Sequence, residues 1–487
     1  MAAWPHLQVA SGCSRQYGTT MPHRIVERAA RDGHDLIALT DRDGVSGAVP
    51  WVRACQEHGL RPILGVDLAV EFAAESAHAP ELADRRRRTP ARGGRWIDEH
   101  RPRVVLLARG RRGWASLCRL ISCAHAGERR GTPWLSWTEL AAHAEGIVVL
   151  LGIDAETTRA IAQTRRADAV LRAIPDGLDL HIALTTHHRP IGHPAATATA
   201  AALWQWADAH RLPVVLTNAA RHLDRTDARV ADVLDAARRL VPLGSGQIEP
   251  ANGEARLLRP DELAERAAVI AQAAGRSAAS LLHATRDLAE SCALDPAADL
   301  GIGEVFVPEL DVLLRRPVRD ALREADAILR AQCSAAIDRT YPRAADARAA
   351  EARLDDELAT ISQLGFAGYF LTVAEVVDLV KARGIRVAAR GSGAGSVVNH
   401  LLGISGVDPI RHHLLMERFC SPLRRVLPDI DIDVESARRL EVYDLILERF
   451  GTERVACVSM METYRVRHAV RDVGAALGMP PGDVDAF

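Results

Sequence analysis

Residues 428–435 read PDIDIDVE, an alternation of acid and aliphatic side chains with a period of two. As a strand, the run turns Asp429, Asp431 and Asp433 to one face and Ile430, Ile432 and Val434 to the other. Neighbouring acids on such a face stand about 6.5–7 Å apart along the strand. Like charges at that spacing repel, and aspartate is disfavoured in strands, so three on one face need a cation or open water beside them. Two carboxylates so placed suit a pair of Mg²⁺ ions roughly 3.5–4 Å apart, which activate a hydroxyl and stabilise a leaving pyrophosphate. The alternative is a half-exposed edge strand with a wet acidic face.

Upstream, residues 389–396 read ARGSGAGS, between a strand-like stretch at 385–388 and a helix-like one at 397–402. Glycines let backbone N–H groups approach an anion, while Arg390, Ser392 and Ser396 add charge and hydroxyls, the makings of a phosphate cradle. No lysine closes the loop as in a Walker motif, and a tight, flexible turn is the plain alternative. Together the two runs suit nucleotidyl transfer, one holding the triphosphate and the other the metals.

The elements that must position these runs begin far upstream. From residue 22 the sequence alternates helix-like and strand-like pieces: a helix at 23–31, a strand at 36–40, a helix at 49–58 and a strand at 62–70. Further strands are predicted at 104–108, 146–151, 178–184 and 213–217, so the region is expected to form a largely parallel sheet or barrel. Residues 80–103, with Arg85 to Arg88 in succession, have the composition of an exposed loop. Glycine and proline cluster at 242–253, where a domain boundary is placed, and residues 261–292 are helical in pattern. A long amphipathic helix to Leu364, a connection at 365–370 and a second helix at 372–383 lead to the glycine loop.

Composition is ordinary for a soluble protein: 48% hydrophobic, 25% charged, and 61 basic against 63 acidic residues, for a net charge of -2. Net charge therefore points to no partner, and the length suits about three domains of ~150 residues. The eight cysteines are scattered singly, without a C-x-x-C pair, and read as buried small hydrophobes in a reducing compartment. With no signal-like start and no apolar run near the ~20 residues that span a bilayer, a cytoplasmic protein without membrane contact is expected.

Five blocks in fixed order, GFAGYF at 365–370, RGSGAGS at 390–396, GISGVDPI at 403–410, ERF at 417–419 and PDIDID at 428–433, resemble the palm of bacterial C-family DNA polymerases, the class of the DNA polymerase III alpha subunit. The resemblance implies that Asp431 and Asp433 are two of three catalytic, magnesium-binding aspartates, with Asp429 a further candidate ligand. It also implies that Gly391 and Ser392 lie in the loop holding the incoming nucleotide's phosphates, beside Arg390 and Ser396. Residues 464–474 resemble the start of a thumb, where Arg465, Arg467 and Arg471 would meet a DNA backbone; a solvated helix face is the alternative. Asp408 reads as a turn or cap residue.

The amino-terminal region resembles the PHP domain that opens these polymerases, with its metal ligands replaced. Gln8 and Ala10 stand at two histidine positions, Tyr17 at an acidic one and Arg42 at another histidine, while Ala219 and Arg221 replace a further acid and histidine. Asp67 remains as an acidic substitute. Alanine and permanently charged arginine do not ligate metal, so no PHP metal cluster is expected and the domain reads as a structural platform. His187, His188 and His193 read as exposed loop histidines.

The expected architecture is α/β: a PHP-type β/α barrel (1–245), the first part of a mixed α/β palm with a helical lead-in (246–434), and the beginning of a helical thumb (435–487). The implied function is DNA-directed DNA synthesis, of the error-prone, damage-tolerant branch, with two Mg²⁺ ions, dNTP and primer-template DNA. The third aspartate, the fingers and the parts that meet a sliding clamp and other repair proteins are expected outside this sequence, leaving it weak or inactive alone. The alternatives are a non-catalytic DNA-binding or assembly remnant and a PHP phosphoesterase.

Overall fold

Pro22 opens the first helix, Pro22–Arg31, where a missing N–H breaks no helical hydrogen bond. The chain then runs through β1 (Leu36–Arg42), the helix Ala48–His58, which Gly59 ends at φ 71°, and β2 (Arg61–Glu71). β3 (Arg103–Ala108), β4 (Trp134–Ser136), β5 (Ile147–Leu151), β6 (Asp179–Leu184) and β7 (Val214–Leu216) follow. This computed structural model describes residues 4–71, 101–126, 132–163, 167–423, 428–458 and 463–486. The arginine run Arg85 to Arg88 lies outside the described residues.

The sheet has the order β1-β2-β3-β5-β6-β7, with β4 on β2. β1–β2, β5–β6 and β6–β7 are parallel, but β3 is antiparallel to both β2 and β5. The expected parallel order fails there because β3 is buried throughout and aliphatic from Val104 on, and such a run reads alike in either direction. Residues 6–10 link the sheet's two edges. Ala38 and Thr40 of β1 donate to the His6 and Val9 carbonyls at 2.9 and 2.8 Å, and Ala10 donates to the Ala220 carbonyl, beyond β7, at 2.8 Å.

Two compact units divide the chain, Met1–Gly303 with Met460–Phe487, and Glu304–Ser459. The first therefore extends past the division placed at 245. Leu263, Ala267 and Ile270 of the helix Pro260–Ala274 join the core on one face of the sheet. Leu288 and Ala289 of the helix Ala278–Ser291 pack with Leu36, Ile63, Val105, Leu107 and Leu150 on the other. The glycine- and proline-rich stretch at 242–253 is thus a connection inside a unit. Late in the chain, the helix Val466–Ala476 places Ala476 against Ala236, Val241 and Ile248 of the same first unit.

His187 corrects an expectation. It is buried, with its Nε2 2.9 Å from the Asn218 carbonyl, because the segment after β6 turns inward. Burial lowers its pKa to about 4 and that of His6 to about 3. Both folded values lie below the usual ~6.5, so their contribution to stability is present above that pH and is lost as pH falls through them. The melting temperature is expected to fall between about pH 6.5 and 4, and a His187→Gln variant to show a shallower decline. An identical slope in the variant would rule out His187 as a source. The cysteines are also more varied than expected: Cys55, Cys292, Cys333 and Cys420 are buried, Cys13, Cys118 and Cys123 half-buried, and Cys457 exposed.

The second unit is built on the helices Ala321–Thr340, Ala344–Leu364 and Ala367–Ala382. Gly365 (φ 73°) ends one helix, and the next starts two residues later, so most of the expected connection at 365–370 is helical. Among the described residues no single helix is long and apolar enough to cross a membrane. The pair 344–364 and 367–382 passes that test only together, bent by 112°, and it buries Leu354, Leu358, Ile361 and Phe370 in this unit's core.

Candidate active site

β8 (Val387–Arg390) and β9 (Asp431–Val434) pair antiparallel, with Arg390 opposite Asp431 and Ala388 opposite Asp433. Packing beneath fixes which face of β9 is wet. Ile430 and Ile432 lie against Val377, Ala389 and Ile404, and Val434 against Val380, Ile385 and Val442. Asp429, Asp431 and Asp433 are consequently exposed. A one-residue slip of β9 would bury the acids and expose the aliphatic residues, so hydrophobic burial sets the register.

Tyr369 holds the entry to the acidic strand, its Oη accepting from the Ile430 N–H at 2.9 Å. Burial raises its phenol pKa, and the Asp429 and Asp431 charges add to the rise. Arg390 bridges the acids: its Nε lies 3.1 Å from Asp433 Oδ1 and its Nη2 3.7 Å from Asp431 Oδ2.

After Arg390 the glycine run forms a short 3₁₀ turn, Gly391–Gly395, entered at a Gly391 φ of 73° that favours glycine. A Cβ on Gly395 would stand 2.8 Å from the Leu415 carbonyl oxygen, so that residue has no room for a side chain. Gly391 and Ser392 are exposed and follow directly on Arg390. Ser396 is placed differently. It is fully buried, caps the helix Val397–Leu401 through Asn399 N–H, and donates its hydroxyl to Glu357 Oε2 at 2.8 Å.

Glu357 was missed in the sequence. It is only 2% exposed, accepts from the Val397 and Val398 N–H groups at 3.0 and 3.3 Å, and pairs with Arg353 at 2.9 Å. This internal carboxylate thus takes the donors at the helix start that the sequence reading left for a phosphate. A signal existed: Leu354, Glu357, Leu358 and Ile361 share one helical stripe, and a charge on an apolar stripe is out of place.

Arg465, Arg467 and Arg471 are exposed on or next to the helix Val466–Ala476 in the first unit, Arg471 lying 3.2 Å from Asp485. Asp408 closes a local turn, accepting from the Ile410 and Arg411 N–H groups and the Tyr341 hydroxyl.

In the first unit, two of the positions compared with PHP metal ligands, Arg42 and Arg221, carry guanidinium groups that gather around a third, Tyr17. The Tyr17 ring lies 3.5 Å from the Arg42 guanidinium and 4.1 Å from that of Arg221, with Arg238 at 5.4 Å. Arg42 pairs with Asp67 and Asp154, Arg103 with Asp67 and Asp43, and Arg221 and Arg238 with Asp235. Burial would raise the Asp67 carboxyl, but Arg103 and Arg42 reverse that and hold it below the usual range. Asp67, the one acid kept as a substitute ligand, is thus committed to two cations.

Among the described residues no three His, Cys, Asp or Glu side chains form a group able to hold a metal. At β9 the donors are two exposed carboxylates that already converge on one cation, Arg390, and such hard oxygen donors suit Mg²⁺ as part of a larger set.

Two family models match: the PHP domain over residues 6–187 and the bacterial DNA polymerase III alpha NTPase domain over residues 327–487. Curated relatives named error-prone DNA polymerase align with nearly the whole chain. That of Mycobacterium bovis is 33% identical over 497 residues, covering 100% of this chain and 42% of its own. For Nocardia farcinica the identity is 34%, over 99% of this chain and 43% of the relative, and for Symbiobacterium thermophilum 32%, over 99% and 41%. The chain spans about two fifths of the length of the curated relatives it matches. The chain is thus similar to a PHP domain in its first part and to a bacterial DNA polymerase III alpha domain in its last, and its likeness to the error-prone DNA polymerases runs through both.

Proposed function

We propose that the chain supplies part of the palm of a template-directed DNA polymerase of the error-prone branch, adding nucleotides from dNTP to a primer 3′ hydroxyl. One observation carries this: the β8–β9 pair sets Asp431 and Asp433 on one exposed face, next to the start of the glycine loop. In this reading Asp431 and Asp433 hold Mg²⁺, with Asp429 as a further ligand. Mg²⁺ bound there supplies the positive charge that phosphoryl transfer requires. Arg390, Gly391 and Ser392 meet the triphosphate, while Ser396 supports the loop from its buried side. Arg465, Arg467 and Arg471 contact the DNA backbone, and the reaction is cytoplasmic.

The PHP domain acts as a structural platform, not a phosphoesterase, because the guanidinium groups of Arg42 and Arg221 stand at two of the positions compared with its metal ligands, around Tyr17 at a third. A non-catalytic DNA-binding or assembly protein is a second reading. It is favoured by β9 offering two carboxylates that Arg390 already bridges.

The test is primer extension with Mg²⁺ and four deoxynucleotides, using the chain alone and fused to the part of the Mycobacterium bovis relative beyond the matched region. Extension by the fusion, and millimolar binding of Mg²⁺ and dNTP by the chain alone, is the expected result. A chain that binds neither, with an inactive fusion, would leave the second reading.

A further inference from the structure

We propose that Arg390 is the resident counter-ion of the Asp431/Asp433 pair and that divalent metal binds there by displacing it, an inference that rests on the metal-site reading above. The contact is built into the strand pairing. Arg390 stands directly opposite Asp431, and residues opposite each other in a sheet send their side chains to the same face, where Asp433 is the diagonal neighbour. The guanidinium therefore spans both acids, at 3.7 and 3.1 Å. Without this charge, two carboxylates on one strand face would repel.

Arg390 is also the last residue before the glycine loop. A Cβ on Gly391 would stand 3.7 Å from Asp431 Oδ2, so the loop begins against the carboxylate. One guanidinium cannot bridge two carboxylates and grip an anion on the loop at the same time. Its choice is set by the charge on the acids. While they are negative they hold Arg390, and once a divalent cation neutralises them that attraction is lost and the guanidinium is free for phosphate. Metal and triphosphate binding are thereby coupled through one side chain, each favouring the other. The side chains involved are 62% (Arg390), 48% (Asp431) and 69% (Asp433) exposed. The competition is accordingly a solvent-screened one, of moderate size and sensitive to salt.

The experiment is a Mn²⁺ titration of the full chain without nucleotide, read by electron paramagnetic resonance. It compares the unaltered chain with Arg390→Gln, Arg390→Lys and an Asp431→Asn/Asp433→Asn variant. Arg390→Gln is expected to bind Mn²⁺ about three- to tenfold more tightly at low salt, with the gap narrowing as salt rises, while Arg390→Lys stays near the unaltered chain. Because Arg390 is exposed, its replacement leaves the packing beneath β8 in place. If Mn²⁺ binding depends on the two aspartates but Arg390→Gln leaves it unchanged or weaker, the counter-ion inference is overturned and the metal site stands. If binding is indifferent to the aspartates, the metal-site reading fails and takes the inference with it.

Discussion

Replacing Asp431 and Asp433 together with asparagine is expected to lower primer extension by the fusion protein by on the order of a thousandfold or more. Asparagine keeps the shape of each side chain and the aliphatic face beneath, but it removes the negative charge that would hold Mg²⁺. Stability should hardly change, since both acids are exposed and their pairing with Arg390 is a surface contact. The informative result is therefore a lost rate with an unaltered melting temperature. A drop smaller than about tenfold in the same assay would remove these residues from the chemistry.

The second large effect is on the fold. Glu357→Ala is expected to destabilise the Glu304–Ser459 unit by about 3–5 kcal/mol, because it leaves Arg353 and the donors at Ser396, Val397 and Val398 without their buried partner. Burial raises the Glu357 carboxyl above its ordinary value despite those donors. A neutral isostere therefore keeps part of the arrangement, and Glu357→Gln should lose less than alanine. Urea denaturation, with hydrogen exchange at residues 397–401 as the local readout, measures both. Local exchange unchanged in the alanine variant would mean the helix start does not depend on this carboxylate.

How far the sequence was readable follows from what each residue's partners are. The two-residue period of 428–435 gave the exposed acids and the inward-packed, partly buried aliphatic side correctly, since that period arises within a strand. The aliphatic strands of the first unit were located to within a residue or two, but the reversed direction of β3 was not, because a strand buried on both faces carries no directional mark. Ser396 read as a phosphate ligand because its neighbours are glycines and arginine. Its actual partner, Glu357, lies on another helix, and nothing local reports such a contact. The pairing of Arg390 with both acids was equally hidden, since it exists only once β8 and β9 lie side by side. In the PHP domain the sequence showed that ligand types were gone, but not that arginines would stack on Tyr17.

That stack changes how the first unit depends on its surroundings. A domain stabilised by bound metal gains stability in proportion to the logarithm of free metal over its dissociation constant, and it surrenders that gain to any chelator. Arg42, Arg221 and Arg238 are covalently part of the chain and charged at every physiological pH, so the positive charge that Asp67 and Asp235 require cannot be diluted, sequestered or exchanged. The ion pairs around Asp67 and Asp235 therefore hold at any concentration of free metal.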